Sequence, residues 1–197
     1  MEANTVMEPT VQDRLDIADL MTGWMYRDIG AWDALQTLFH PDGTIAVTWF
    51  EGSATDFVEG SRRMSQSNTR SKHLIGSPVI EFNGNKAIAE TNAVIIGDGP
   101  ALDLGCVTHS RLYDRVEKRN GAWKIVQRQI VYDMAYFTFP AGPTEIDREV
   151  LARHPREYAA LAYMLEKNGF PVSRVFATKG SDLEHEMKSV ARAWLKA

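Results

Sequence analysis

From Val11 onward, apolar residues recur at intervals of three and four. Leu15, Ile17, Ala18, Leu20, Met21, Trp24, Met25 and Ile29 all follow this spacing, which sets side chains on one helical face. Gly30 interrupts the run, and a second short helix over residues 31–39 would bury Trp32, Leu35, Leu38 and Phe39. His40-Pro41-Asp42-Gly43 then reads as a turn, with His40 in solvent. Residues 44–50, TIAVTWF, are β-branched and aromatic and predict a strand. On that strand Trp49 and Phe50 would face opposite sides. Residues 52–60 read as a loop, and residues 58–69 as a helix with Phe57, Val58 and Met64 on its apolar side.

The pattern then changes period. Residues 73–82, HLIGSPVIEF, read as a strand with Pro78 at an edge or bulge. Asn83-Gly84-Asn85 is a tight hairpin signal. Residues 86–96 alternate as a strand does, and Gly97-Asp98-Gly99-Pro100 closes them with a turn. Residues 102–117 form a long strand, Lys118-Arg119-Asn120-Gly121 a second hairpin turn, and residues 122–136 the last strand. Helices followed by one strand, a helix and a four-strand meander predict an α+β fold, a curved antiparallel sheet wrapped around helices.

Pro140-Ala141-Gly142-Pro143 ends this unit and divides the chain into residues 1–142 and a helical extension, 143–197. Within the extension, Thr144 is placed to cap a helix running to His154. Pro155 suits the first turn of a helix ending at Lys167, and Asn168-Gly169-Phe170-Pro171 stops it. Ser181 and Glu184 have capping-box spacing ahead of a final helix. The chain shows neither an internal repeat nor a low-complexity run.

Composition narrows the function classes. Hydrophobic residues are 44% and charged residues 24% of the 197, the balance of a globular chain. A net charge of −4 argues against nucleic acid as partner. No apolar run reaches the roughly 18 residues of a membrane helix, and the acidic start, MEANTVMEPTVQDRLD, is not a secretory signal. Cys106 is the single cysteine, so an internal disulfide is excluded and a cytoplasmic setting is expected. Dinucleotide and nucleotide phosphate loops, H-x-H and H-E-x-x-H metal motifs and the G-x-S-x-G elbow are all missing. Chemistry that moves only protons, without metal or cofactor, fits what remains.

Three segments carry a family resemblance. They are Tyr26-Arg27-Asp28-Ile29-Gly30-Ala31-Trp32-Asp33-Ala34-Leu35 with Phe39 and Pro41-Asp42, then Ser71-Lys72-His73-Leu74-Ile75-Gly76, then Asn120-Gly121-Ala122-Trp123-Lys124-Ile125. In that order they resemble the SnoaL-like branch of the nuclear-transport-factor-2-like superfamily, to which scytalone dehydratase is related. The resemblance covers about residues 10–140. It implies a conical α+β barrel with an apolar pocket at its mouth. It also implies that Asp28 and His73 match catalytic residues and that Ser110 matches a pocket serine. Two positions depart from the pattern: Gly97 stands where a second catalytic histidine would fall, and Leu112 where a pocket asparagine would. What is kept is an Asp–His pair like that of bacterial dehydrochlorinases and bile-acid dehydratases of this group. The segment HPREYAALAYMLEKNGFPVS resembles the tail of longer SnoaL-like proteins, some similar to lyases that cleave lignin-derived diarylpropanes with loss of formaldehyde.

An imidazole with a free pKa of about 6.5 serves as base and then acid at working pH. A carboxylate on its other nitrogen fixes the tautomer. His73 and Asp28 are the candidates for these roles. The alternative is that Asp28 caps a helix or pairs with Arg27 and His73 is a core histidine. Tyr26, Asn92, Ser110, Arg128 and Tyr132 are candidates to hold substrate oxygens or an anionic group, and Trp49 and Met25 to form the apolar wall. If Ser110 faces inward, so do Thr108 and Leu112, while His109, Arg111 and Tyr113 face out. Arg128, Ile130 and Tyr132 share one face of the last strand. Cys106 reads as a buried packer, and His154 and His185 carry no signal.

These readings converge on a cofactor-independent lyase that removes water or formaldehyde from a small hydroxylated aromatic substrate. An isomerase or cyclase on a steroid or polyketide ring would use the same pair, and a non-catalytic small-molecule-binding module stands as a third reading. The resemblance also implies a homo-oligomer, a trimer or dimer, with the tail helices over the pocket mouth or at the interface.

Overall fold

Thr10 starts the first helix. Its hydroxyl accepts the Asp13 N–H at 3.1 Å, and the Asp13 carboxylate accepts the Thr10 N–H at 2.9 Å, so two otherwise unpaired helix donors are satisfied reciprocally. The other Asp13 oxygen accepts from Lys118 Nζ at 2.7 Å and from Trp123 Nε1 at 2.8 Å. Lys118 foremost, then Trp123 and Thr10, hold the Asp13 carboxyl far below the usual carboxylate range. One acidic residue thus caps α1 (Val11–Thr22) and pins it to the sheet. The computed structural model describes residues 8–197; the first seven residues, with part of the acidic start, lie outside the described residues.

The expected helix over residues 11–29 is broken at Gly23, and the chain resumes as α2 (Met25–Asp28) and α3 (Trp32–Thr37). The expected turn at residues 40–43 is instead part of β1 (Phe39–Val47), which passes through a register shift between Phe39 and Thr44. Gly43 permits the shift, because a Cβ there would lie 2.9 Å from the His40 carbonyl and 3.0 Å from that of Ile125. His40 is accordingly buried rather than solvated, with Nε2 2.9 Å from the Glu117 carbonyl. The turn falls at Thr48 and Trp49, after which β2 (Phe50–Ser53) folds back on β1. Trp49 and Phe50 therefore do not take opposite faces. Both rings meet Phe57, at centroid distances of 5.2 and 5.7 Å.

Ser53 caps α4 (Ala54–Met64) by accepting the Asp56 N–H at 3.1 Å. The helix therefore occupies most of the expected loop and ends before residue 69. Four long antiparallel strands follow: β3 (Arg70–Asn83), β4 (Lys86–Gly99), β5 (Leu104–Arg119) and β6 (Ala122–Thr138). Residues 97–99 belong to β4, and the turn is a 3-10 segment, Pro100–Leu102. The six strands run in the order β2-β1-β6-β5-β4-β3. The β1–β6 pair is parallel, so the sheet is mixed rather than wholly antiparallel. β2 and β3 are its two edges, so the curved sheet does not close.

Alternation along the strands separates two faces. Cys106, Ser110 and Leu112 line the inner, cavity side, while Tyr113 lies with the outer cluster, as the parity argument predicts. The extension covers both sides. α5 (Arg148–Leu151) has only four residues and is capped by Asp147, which accepts from the Glu149 and Val150 N–H groups. Thr144 does not cap it; its hydroxyl donates to the Asp103 carbonyl. α6 (Ala159–Lys167) starts after Pro155 rather than at it, and packs against β5 and β6. α7 (Asp182–Lys196) lays Met187, Ala191 and Leu195 on Ile88, Tyr113 and Val131 of the outer face. Ser181 caps α7, but the box is half made. Glu184 gives its N–H to Ser181, while its carboxylate accepts from the Gly180 N–H and from Arg111. No described helix is long and apolar enough to cross a membrane.

Candidate active site

Asp28 ends α2 beside the start of β3, and its carboxylate grips His73 twice. The His73 backbone N–H donates to Oδ2 at 2.7 Å, and Nδ1 lies 2.6 Å from Oδ1. A carboxylate partner makes Nδ1 the protonated nitrogen and leaves Nε2 with its lone pair free. Nε2 has no protein hydrogen-bond partner among the described residues, and His73 forms part of a cavity wall. Burial lowers the imidazole pKa below its ordinary value, and the Arg27 and Arg128 charges add to this against the opposing pull of Asp28. His73 is therefore neutral at neutral pH. Burial alone would raise Asp28, yet its bonds to His73 and the Arg27 charge leave it lowered and ionised. Trp24 meets the imidazole edge-on, at a centroid distance of 6.0 Å.

The cavity has a volume of about 300 Å³, within the range of small-molecule sites. Trp24, Trp49, Phe57, Ile95 and Ile130 form much of its wall. The extension completes it with Leu161, Met164, Leu165 and Phe170. Burial pushes the thiol of Cys106, also in the wall, up to about 11, so at neutral pH it is an apolar lining group.

Of the residues singled out in the sequence, Asp28, His73, Ser110, Tyr132 and Trp49 meet around this cavity. Ser110 Oγ donates to the Ala93 carbonyl at 3.2 Å. The Tyr132 hydroxyl donates to Thr48 Oγ1 and accepts the Thr48 N–H, both at 3.2 Å, so it clasps the β1–β2 turn and is not a free donor. Asn92 is a correction: Ala93 and Ile95 take the cavity side, so strand alternation leaves Asn92 exposed on the outer face. Met25 is 49% exposed, because the break at Gly23 rotates it off the α1 stripe. Tyr26 packs against the core but does not line the cavity. Arg128 is fully buried but behind the wall rather than in it. Its Nε and Nη2 donate to Asp114 at 2.8 and 2.9 Å, and its guanidinium stands 4.5 Å from the Trp24 ring.

Sequence reading missed Asp114, Arg27 as a wall residue, and the α6 side chains. Asp114 was within reach of the parity argument, since it follows Ser110 and Leu112 on the same face and pairs with Arg128 in the β5–β6 register. The two departures from the family pattern have a spatial reason. A Cβ on Gly97 would lie 3.1 Å from Cys106 Sγ and 3.9 Å from Met164 Cε, so the place of a second histidine is filled from β5 and α6. Leu112 keeps the adjoining wall apolar. Among the described residues no group of three or more His, Cys, Asp or Glu side chains is arranged to hold a metal.

Known proteins share this arrangement of elements. The chain is 28% identical to pea pathogenicity protein 2 of Fusarium vanettenii over 165 residues, 78% of this chain and 70% of that one. A candidate scytalone dehydratase from Novosphingobium aromaticivorans superposes with a TM-score of 0.57 at 17% identity, over 68% of this chain and 97% of its own. The hexachlorocyclohexane dehydrochlorinase LinA type 3 of Novosphingobium barchaimii gives 0.56 at 19% identity, over 70% and 96%. These two likenesses concern the fold. The SnoaL-like domain family matches residues 9–129. Because that match spans more than half of the chain and takes in α1, Asp28, His73 and the sheet into β6, the chain belongs to the SnoaL-like domain family.

Proposed function

We propose that the protein is a cofactor-independent lyase in which His73 is the general acid–base and Asp28 orients and supports it. The observation that carries this is the free Nε2 of a clamped, neutral imidazole on the wall of a largely apolar cavity. In dehydration, Nε2 takes a proton from a substrate carbon. The C–H electron pair becomes the new double bond, the C–O bond breaks, and the imidazolium returns the proton to the departing oxygen as water. Loss of formaldehyde uses the same pair: Nε2 takes the hydroxyl proton and the C–O bond becomes a carbonyl. The released C–C electron pair then takes the proton back. Asp28 stabilises the transient imidazolium in both cases, as the aspartate of the serine-protease triad does.

The substrate class proposed is a small hydroxylated aromatic compound. Support comes from the aromatic and aliphatic walls, where flat rings gain dispersion and burial. Aryl alcohols incubated without added cofactor should lose water or formaldehyde, as product mass reports. His73→Ala should lower turnover by roughly 10²–10⁴-fold, the usual contribution of a positioned acid–base. Near-normal turnover by this variant would overturn the assignment, and a product of unchanged mass would move the reaction to isomerisation.

A further inference from the structure

Resting on that reading, we propose that the cavity contains a carboxylate subsite centred on Arg27, so that the substrate is an aromatic acid rather than a neutral aryl compound. Six polar residues of the wall come from α2, α4 with its C-terminal end, and the start of β3, namely Arg27, Ser61, Ser65, Thr69, Arg70 and Ser71, while Thr48, Ser110, Tyr132 and Asn168 are polar elsewhere in it. Among the described residues Asp28 is the one carboxylate in the wall, and both its oxygens are taken by His73. Arg27 and Arg70 make no ion pair among the described residues, whereas the neighbouring Arg128 is neutralised by Asp114.

Arg27 is also short of hydrogen-bond acceptors. Its Nη1 donates to Ser71 Oγ at 3.0 Å, its Nη2 meets only the weak acceptor Met64 Sδ at 3.4 Å, and its Nε is buried without a partner. Burial brings its pKa down to about 10, so it stays charged at neutral pH. Ser61 Oγ and Thr69 Oγ1 are likewise buried without partners in the same wall. A guanidinium whose Nε is buried without a partner favours an anionic ligand over a neutral one. A planar carboxylate matches the guanidinium fork and accepts from hydroxyls as well. A neutral hydroxyl or amide would leave Arg27 with only the charge of Asp28, whose oxygens are already taken by His73. The carboxylate would anchor the acid end on the wall that holds His73 and direct the ring toward the α6 side of the cavity.

Isothermal titration of the full chain at pH 8, where His73 is neutral, tests this with 4-phenylbenzoate and its neutral isostere 4-phenylbenzamide. The acid should bind at least tenfold more tightly than the amide. Arg27→Gln should abolish that preference with amide binding retained, Arg27→Lys should keep part of it, and Arg70→Gln most of it. Equal binding of acid and amide by the unaltered protein overturns the proposal without recourse to any variant. So does failure of the acid to bind at millimolar concentration, or a preference that survives Arg27→Gln in a folded variant. His73→Ala should still prefer the acid, so loss of the catalytic reading and loss of the subsite are separate outcomes.

Discussion

At the scale of single residues, the site depends on which charges are compensated. His73 is depressed by burial and supported by Asp28, so the acid limb of kcat/KM should fall at a pH below about 6.5, the free imidazole value. Asp28→Asn removes the group that raises His73, and the limb should move lower still. The same depression has a stability consequence. As pH falls from about 6.5, the unfolded chain takes the proton before the folded one does, so folding stability should decline down to the folded pKa. Urea midpoints across that window should flatten in His73→Gln. The Arg128–Asp114 pair is fully buried and two-pronged. Asp114→Ala should cost about 3–5 kcal/mol, because it strands a buried cation. Asp114→Leu combined with Arg128→Met should cost less than Asp114→Ala alone, as equilibrium unfolding would show.

At the scale of elements, the meander was readable and the first half was less so. The long strands announce themselves by alternation, and their hairpins by Asn-Gly signals. Asn120 at φ 52° and Gly121 at φ 81° adopt the left-handed conformations such a turn needs. Residues 40–43 misled because Pro41, Asp42 and Gly43 are turn formers by composition, yet they lie inside β1, in the register shift between its β6-paired residues Phe39 and Thr44. α4 was placed late because its start is marked by Ser53 and Asp56, a capping pair, rather than by its apolar side chains. Capping also fixes α7, where Ser181 accepts the Glu184 N–H. Ser181→Ala should cost about 1 kcal/mol in a denaturation series. Turnover should be unchanged, since α7 lies on the outer face, away from the cavity.

At the scale of the whole molecule, the extension does two jobs with two helices. α6 walls the cavity, and α7 shields part of the outer sheet, tied down through Arg111 to Glu90, Asp133 and Glu184. Beyond α7 the outer face carries exposed apolar residues beside polar ones such as Lys72 and Asn92. Leu74, Ile96, Met134 and Tyr136 are 55%, 38%, 56% and 51% exposed on neighbouring strands. Contiguous apolar surface of this kind marks association, and we propose a homo-oligomer, a dimer or trimer, joined through it. Light scattering after size exclusion should give a multiple of 22.1 kDa, and Met134→Glu with Tyr136→Lys should return the monomer.

The sequence by itself determined the period of each long element, the order of helices and meander, and the family. It also determined that Asp28 and His73 were the residues to watch. The elements follow from local patterning, because alternation and helical spacing record which side of an element is buried, whereas the family and its Asp–His pair follow from the resemblance carried by three short segments. Only the tertiary structure decided which groups meet across elements. It set Asn92 outward and Arg128 against Asp114, filled the second-histidine position with Cys106 and Met164, and left Arg27 in the wall with its Nε unpartnered. Each of these outcomes depends on where two distant segments cross, and the spacing of residues along one segment carries no record of the other.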